Sequence, residues 1–107
     1  GWSDYALVPV TISGVSANDD IFWTLTTLPL DYYNYDDEWI RDITSNDYCR
    51  QTVHSNTYFQ IPYEYEYSLI AVAKDANGNF GKLFKMEIYL YKSDAADISD
   101  YKYIEVK

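Results

Sequence analysis

Pro62-Tyr-Glu-Tyr-Glu-Tyr-Ser-Leu-Ile-Ala-Val-Ala-Lys-Asp-Ala-Asn-Gly-Asn-Phe-Gly-Lys-Leu-Phe-Lys-Met-Glu-Ile-Tyr-Leu-Tyr91 is the stretch that decides the fold. It reads as two β-type runs around a short turn, the central hairpin of a β-sandwich. In the first run the two-residue period puts Tyr65, Tyr67, Leu69, Ala71 and Ala73 on one face. The return run puts Leu83 on one face and Phe84, Met86, Ile88 and Leu90 on the other. Between them, Asp75-Ala76-Asn77-Gly78-Asn79 supplies residues that tolerate positive φ. Ile70 and Val72 make the second face of the first run apolar as well. A half-wet antiparallel sheet does not need that, so something must cover them. The local candidates are a helix carrying Trp39 and Ile43, or a tail strand carrying Ile104 and Val106. The expectation is that the helix covers part of this face, and that a neighbouring domain or a second protomer covers the rest.

Outward from the hairpin, the elements fall in order. Val8 to Ile12, interrupted by Pro9, suits an edge strand, because proline cannot donate to a ladder. Gly14 to Asp20 is turn-like. Ile21 to Thr27 alternates Ile21, Trp23 and Leu25 against Phe22, Thr24 and Thr26, a second strand. Trp23 is its expected core anchor, and Pro29 stops it. Asp31 to Tyr35 reads as a short β-run. Asp37 to about Ile43 is the one helix, with Asp36 as N-cap and Asp37 and Glu38 placed well for the helix dipole. Its apolar stripe is Trp39, Ile40 and Ile43. A weak strand around Cys49 to Val53 and a firmer one from Thr57 to Ile61 precede the Pro62 corner. Ser93 to Asp100 is an acidic connector, and Tyr101 to Val106 alternates well enough for an extra last strand.

At 107 residues, the chain is expected to be one domain that buries roughly 65% of its unfolded surface. Its charge of −9 is uneven: residues 1–66 hold 11 acids and 2 bases, and 67–107 hold 6 of each. An acidic front half argues against nucleic acid or an anionic membrane as partner. The single Cys49 has no internal disulfide partner and reads as a structural thiol or, in a minority reading, an interchain one. No apolar run approaches the ~18–20 residues of a transmembrane helix. The first residue is Gly1 rather than Met, which reads as a piece excised from a larger protein.

Ile61-Pro62, followed by Tyr67-Ser-Leu-Ile-Ala-Val-Ala-Lys-Asp-Ala-Asn-Gly-Asn-Phe-Gly81, resembles the E–F corner, F strand and F–G turn of fibronectin type III-like domains. The version it most resembles occurs in cell-surface lipoproteins of Bacteroides-type bacteria. The similarity covers roughly residues 8–91 and includes a Thr-rich B strand ending at a proline, as in Trp23 to Pro29. It also includes a Tyr-rich C strand running into an acidic helix, as in Tyr32 to Trp39. The resemblance implies an all-β, fibronectin type III-like antiparallel sandwich with one short helix near residues 37–43. It implies an extracellular, cell-surface setting in an outer-membrane-anchored parent, with Tyr67 as the corner tyrosine whose hydroxyl returns to upstream backbone. From Ser93 onward the chain departs from the pattern.

The residues that could carry chemistry read as structural. Asp75-Ala-Asn-Gly-Asn79 opens like a calcium loop. An EF-hand counted from Asp75 needs Gly and a bidentate acid where this chain has Phe80 and Met86. Asp36-Asp37-Glu38 and Asp19-Asp20 fit a helix first turn and an ordinary turn. His54 and Cys49 lie five apart in a polar loop, too little for a nucleophile or for zinc. Glu64 and Glu66 share a strand face but do not straddle a cleft. No catalytic, cofactor or metal residues are expected. The remaining lead is aromatic: Tyr32, Tyr33, Tyr35, Trp39 and Tyr63 could stack on a sugar ring or anchor a protein interface. Two functions follow. One is a structural or adhesion module without chemistry of its own, whose partners are neighbouring domains or a second protomer. The other is a carbohydrate-binding module using the Tyr/Trp patch.

Overall fold

The structure is a computed structural model that describes residues 5–46, 50–51, 56–62, 65–89 and 103–105; of these, 5–11, 50–51, 56–60 and 103–105 are described by backbone alone. Trp2, Cys49, His54, Tyr63, Glu64, Leu90, Tyr91 and the 93–100 connector lie outside the described residues. The chain is mainly β, with strands β1 (Tyr5–Ser13), β2 (Asp20–Thr26), β3 (Arg50–Gln51), β4 (Asn56–Pro62), β5 (Glu66–Lys74), β6 (Phe84–Tyr89) and β7 (Tyr103–Glu105), and one helix, α1 (Asp36–Thr44).

The strands form two sheets, ordered β4-β1-β7 and β3-β2-β5-β6. The four-stranded sheet is antiparallel throughout. The other is mixed, because β7 runs parallel to β1 along Thr11–Ser13. A uniformly antiparallel architecture therefore gives way at the tail strand, whose pairing follows from its arrival beside β1. β1, expected as an edge strand, is instead the middle strand of its sheet; β4 pairs with Tyr5–Thr11 and β7 only with Thr11–Ser13, so at Pro9 the one described neighbour is β4 and the proline sits where no donor is called for.

The expected hairpin is β5–β6, paired from Glu66↔Tyr89 to Ala71↔Phe84. Its loop is held by the Asp75 carboxylate, whose Oδ1 accepts from the backbone N–H groups of Asn77 (3.0 Å) and Asn79 (2.8 Å). Gly78 takes φ 85°, the left-handed region that a side chain would strain. Lys74 bridges Phe80 while Ala71 pairs with Phe84. One residue is therefore extra on the returning side, a β-bulge. The bulge sets which face each residue of β6 takes.

Alternation then sorts the four-stranded sheet into two apolar faces. Ile21, Leu69, Ala71, Ala73 and Ile88 form one buried cluster with Ile12 of β1 and Ile61 of β4, so this core lies between the sheets. Trp23, Leu25, Tyr67, Phe84 and Met86 pack around it. Phe22, Ile70, Val72 and Leu83 form a second cluster with Trp39 and Ile43 of α1 on the opposite face. Ile70 and Val72 are fully buried, so the helix covers the part of the second face that they supply. On β6 that face is not apolar: Lys85, Glu87 and Tyr89 are exposed there, while Ile88 points into the core.

Three further expectations change. Asp31 to Tyr35 is a turn and bends rather than a β-run, opened by the Tyr32 N–H donating to the Pro29 carbonyl (3.0 Å). The helix begins one residue early, with Tyr35 as N-cap in place of Asp36. Glu38 makes that possible, because its Oε2 accepts from the N–H groups of Asn34 (2.9 Å) and Tyr35 (3.1 Å). Asp36, freed from capping, pairs with Lys85 at 2.8 Å. Finally, Trp23 is only partly buried, whereas Trp39 is 1% exposed and is the enclosed anchor.

Candidate functional site

Two surfaces can be built from the described side chains. The first is the aromatic turn ahead of α1. Pro29 ends β2's run-out, and the chain swings across the sheet to bring residues 31–35 beside the helix. Trp39 is the pivot: its indole Nε1 donates to the Leu30 carbonyl at 3.3 Å, which fixes the turn to the helix. Tyr33 meets Trp39 edge-on, with centroids 4.8 Å apart and planes at 84°. Tyr32 meets Tyr33 likewise at 5.0 Å and 85°. Such T-shaped pairs use the ring quadrupoles well.

The expected site residues separate accordingly. Tyr32 and Tyr35 are 56% and 69% exposed, and their rings stand in solvent. Tyr33 is half-buried, and Trp39 is taken up by the core, so neither offers a free face. Tyr63 lies outside the described residues. Burial pushes the Tyr33 hydroxyl above its ordinary value of 10.0, and Asp42, which accepts its hydrogen bond, pushes it further. The acids of this segment are in structural use: Glu38 caps the helix and Asp36 holds Lys85. What remains on the turn is a ledge of two tyrosines among the carboxylates of Asp31 and Asp37.

The second surface was not expected from the sequence. It is a groove of about 320 Å³ at the end of the four-stranded sheet, lined by the run-out of β2 and the adjoining ends of β5 and β6. Leu28 and Pro29 contribute apolar wall, Tyr89 a ring, and Glu66 and Glu87 carboxylates, while Tyr67 and Ile88 border the groove with side chains that belong to the core between the sheets. Ser68, buried to 4%, donates to the Leu28 carbonyl at 2.7 Å and ties one wall to the sheet. The local signal was present as the change from Ile70 and Val72 to Ser68 and Glu66 along one face of β5. Read alone, it marks only a solvated strand end. The wall that turns it into a groove comes from Thr27 to Pro29, about forty residues earlier in the chain.

At the opposite end, Asp19 is 4% exposed and accepts from the backbone N–H and hydroxyl of Ser16, both at 3.0 Å. Its carboxylate closes the β1–β2 turn. Among the described residues, no group of His, Cys, Asp and Glu has the arrangement of a metal site, and no helix is long and apolar enough to cross a membrane. No protein-family model, no curated protein and no solved structure matches the chain.

Proposed function

We propose that the chain is a fibronectin type III-like β-sandwich that serves as a non-catalytic structural or adhesion module of a bacterial cell-surface protein. The observation that carries this reading is the order of strands. Immunoglobulin-type sandwiches place B beside E in one sheet, and C, F and G together in the other, with C′ beyond C in some. With β1 as B, β2 as C, β3 as C′, β4 as E, β5 as F and β6 as G, the observed neighbours fall into that scheme. The strand beside F is then Asp20–Thr26, so the Thr-rich run takes the place of C rather than B, and α1 occupies the C–C′ connection. β7 takes the place beside B that an A strand would hold, but it runs parallel.

A structural role is further supported by how the acids are used. Asp19, Glu38 and Asp75 accept from turn or cap N–H groups, and Asp36 pairs with Lys85. The exposed pair Tyr32 and Tyr35 favours a second reading, carbohydrate binding, in which the rings stack on sugar faces and nearby carboxylates accept hydroxyl hydrogen bonds. Affinity electrophoresis across a panel of neutral and acidic polysaccharides separates the two. The module reading expects unchanged mobility on every gel. Retardation on one polysaccharide, lost in Tyr32→Ala and Tyr35→Ala, would replace it with the carbohydrate-binding reading. The fold assignment is tested by Tyr67→Phe, which is expected to lower stability by about 1–2 kcal/mol if Tyr67 is the corner tyrosine. An unchanged denaturation midpoint would remove that assignment.

A further inference from the structure

We propose that Asn77 is a site of spontaneous deamidation, and that the Asp75 clasp of the β5–β6 turn sets its rate. Of the six asparagines, only Asn77 is followed by glycine. That pairing matters because the backbone nitrogen of the next residue is the nucleophile, and a side chain there hinders its approach. Gly78 has none. Asn77 and Gly78 are both exposed at the turn, and a Cβ at position 78 would meet only the Lys74 Cε, at 3.9 Å. Water and base therefore reach the reacting atoms.

The reaction needs only hydroxide and water. Hydroxide takes the Gly78 amide proton, the nitrogen attacks Asn77 Cγ, and the Cγ–Nδ2 bond breaks as ammonia leaves with a proton from solvent. The product is a cyclic succinimide. Water then opens either of its carbonyls. One opening gives aspartate at position 77 on the original backbone. The other gives isoaspartate, whose backbone runs through Cγ and is one atom longer. Nothing is oxidised or reduced, and the net change is amide plus water to carboxylate plus ammonium.

The folded turn opposes the first step. The Gly78 N–H donates to the Asp75 carbonyl at 3.0 Å, so the proton that must leave is held. The Asp75 Oδ1 accepts from the N–H groups of Asn77 and Asn79, at 3.0 and 2.8 Å, and fixes the backbone on either side of Gly78. The Asp75 N–H donates to the Asn79 carbonyl at 2.9 Å and closes the loop. Attack therefore waits for a local opening, which an exposed turn undergoes more readily than the core. Isoaspartate then prevents full reclosure. With an extra backbone atom between positions 77 and 78, Asp75 cannot keep its bonds on both sides of Gly78. The new carboxylate also stands close in the chain to that of Asp75. The modification loosens the hairpin from its tip, whichever function the module serves.

The experiment is timed incubation of the whole chain in mildly alkaline buffer, with and without urea, followed by peptide mapping for aspartate and isoaspartate. Conversion is expected at Asn77 ahead of Asn34 and Asn79, whose following residues are Tyr35 and Phe80. It is expected to run about tenfold faster in urea, as a turn opening that costs about 1.4 kcal/mol gives. In the folded chain Asp75→Ala is expected to speed it, and Asp75→Asn, which keeps an Oδ1 acceptor, to stay near the parent rate. Gly78→Ala is compared in urea, where folding plays no part, and is expected to suppress it. The isoaspartate form is expected to show a lower urea midpoint than the unmodified chain. Should Asp75→Ala not fold, the parent rates with and without urea decide the result. Equal parent rates in the two conditions, no conversion at Asn77 in the folded chain, or earlier conversion at Asn34 or Asn79 would each overturn the proposal. So would an unchanged rate in folded Asp75→Ala, an undiminished rate in Gly78→Ala, or an isoaspartate form as stable as the parent.

Discussion

Three residues show how single side chains hold this domain. Trp39 is enclosed, edge-on to Tyr33, and bonded to the Leu30 carbonyl. Trp39→Ala is expected to cost about 3–5 kcal/mol, and Trp23→Ala, at a half-buried site, clearly less; urea midpoints of the two variants decide the order. The amphipathic stripe made Trp39 legible as a docking residue, but its surroundings were not. Its partners Ile70 and Val72 lie some thirty residues away, and no local period reveals such a distance. Ser68 is similar. Its place on the Ile70 face follows from alternation, yet its acceptor, the Leu28 carbonyl, is 40 residues distant. Ser68→Ala leaves that carbonyl without its donor and is expected to cost about 1–2 kcal/mol, again by urea midpoint. Tyr33 adds a pH dependence. Its folded-state value is raised, by burial first and Asp42 second, so the unfolded chain loses this proton at lower pH than the folded one. The stabilisation is full below the ordinary value of 10.0 and is lost as pH rises through the folded value. The stability gap between the parent and Tyr33→Phe is therefore expected to shrink above that pH. A constant gap would contradict the assignment.

At the scale of elements, the β5–β6 hairpin was the most legible part, because alternation and an Asp/Asn/Gly turn agree on it. The bulge was not, since nothing in Gly81-Lys82 distinguishes an extra residue from a longer loop. Helix α1 was legible from its stripe and acids, but its start was misplaced. A side-chain carboxylate three residues inside the helix outcompeted Asp36, reaching back to two N–H groups. Glu38→Ala should therefore destabilise the chain by about 0.5–2 kcal/mol, the range for lost caps, while Asp36→Asn, at a half-exposed ion pair, should cost under about 1 kcal/mol. Chemical denaturation of both variants tests which acid holds the helix start. In the hairpin turn, a Cβ at position 78 would meet only the Lys74 Cε at 3.9 Å, so crowding is no obstacle. Backbone strain at φ 85° alone is expected to make Gly78→Ala cost about 1–2 kcal/mol. The run at residues 31–35 was misread as strand because tyrosines favour strands in general. Here Asp31 and Asn34 sit in a turn stitched to the helix through Leu30 and Glu38.

For the whole molecule, the organising feature is a four-stranded sheet whose inner strands β2 and β5 are apolar on both faces, each apolar region being covered by a different part of the same chain. The three-stranded sheet supplies Ile12 and Ile61 to one side, and α1 supplies Trp39 and Ile43 to the other. From the sequence, the apolar second face was plain, but the division of its cover between helix and partner was not. It depends on β6 turning Lys85, Glu87 and Tyr89 outward, which the bulge determines. Substituting Ile70 and Val72 with Thr is accordingly expected to loosen α1 and lower stability, with the change appearing in helix signal rather than in association state. The most direct test is a nuclear Overhauser experiment on the methyl groups of Ile70 and Val72. Cross-peaks from these methyls to the Trp39 ring or the Ile43 side chain are the expected result. Their absence, with Trp39 contacting neither Ile70 nor Val72, would contradict the closed two-faced sheet.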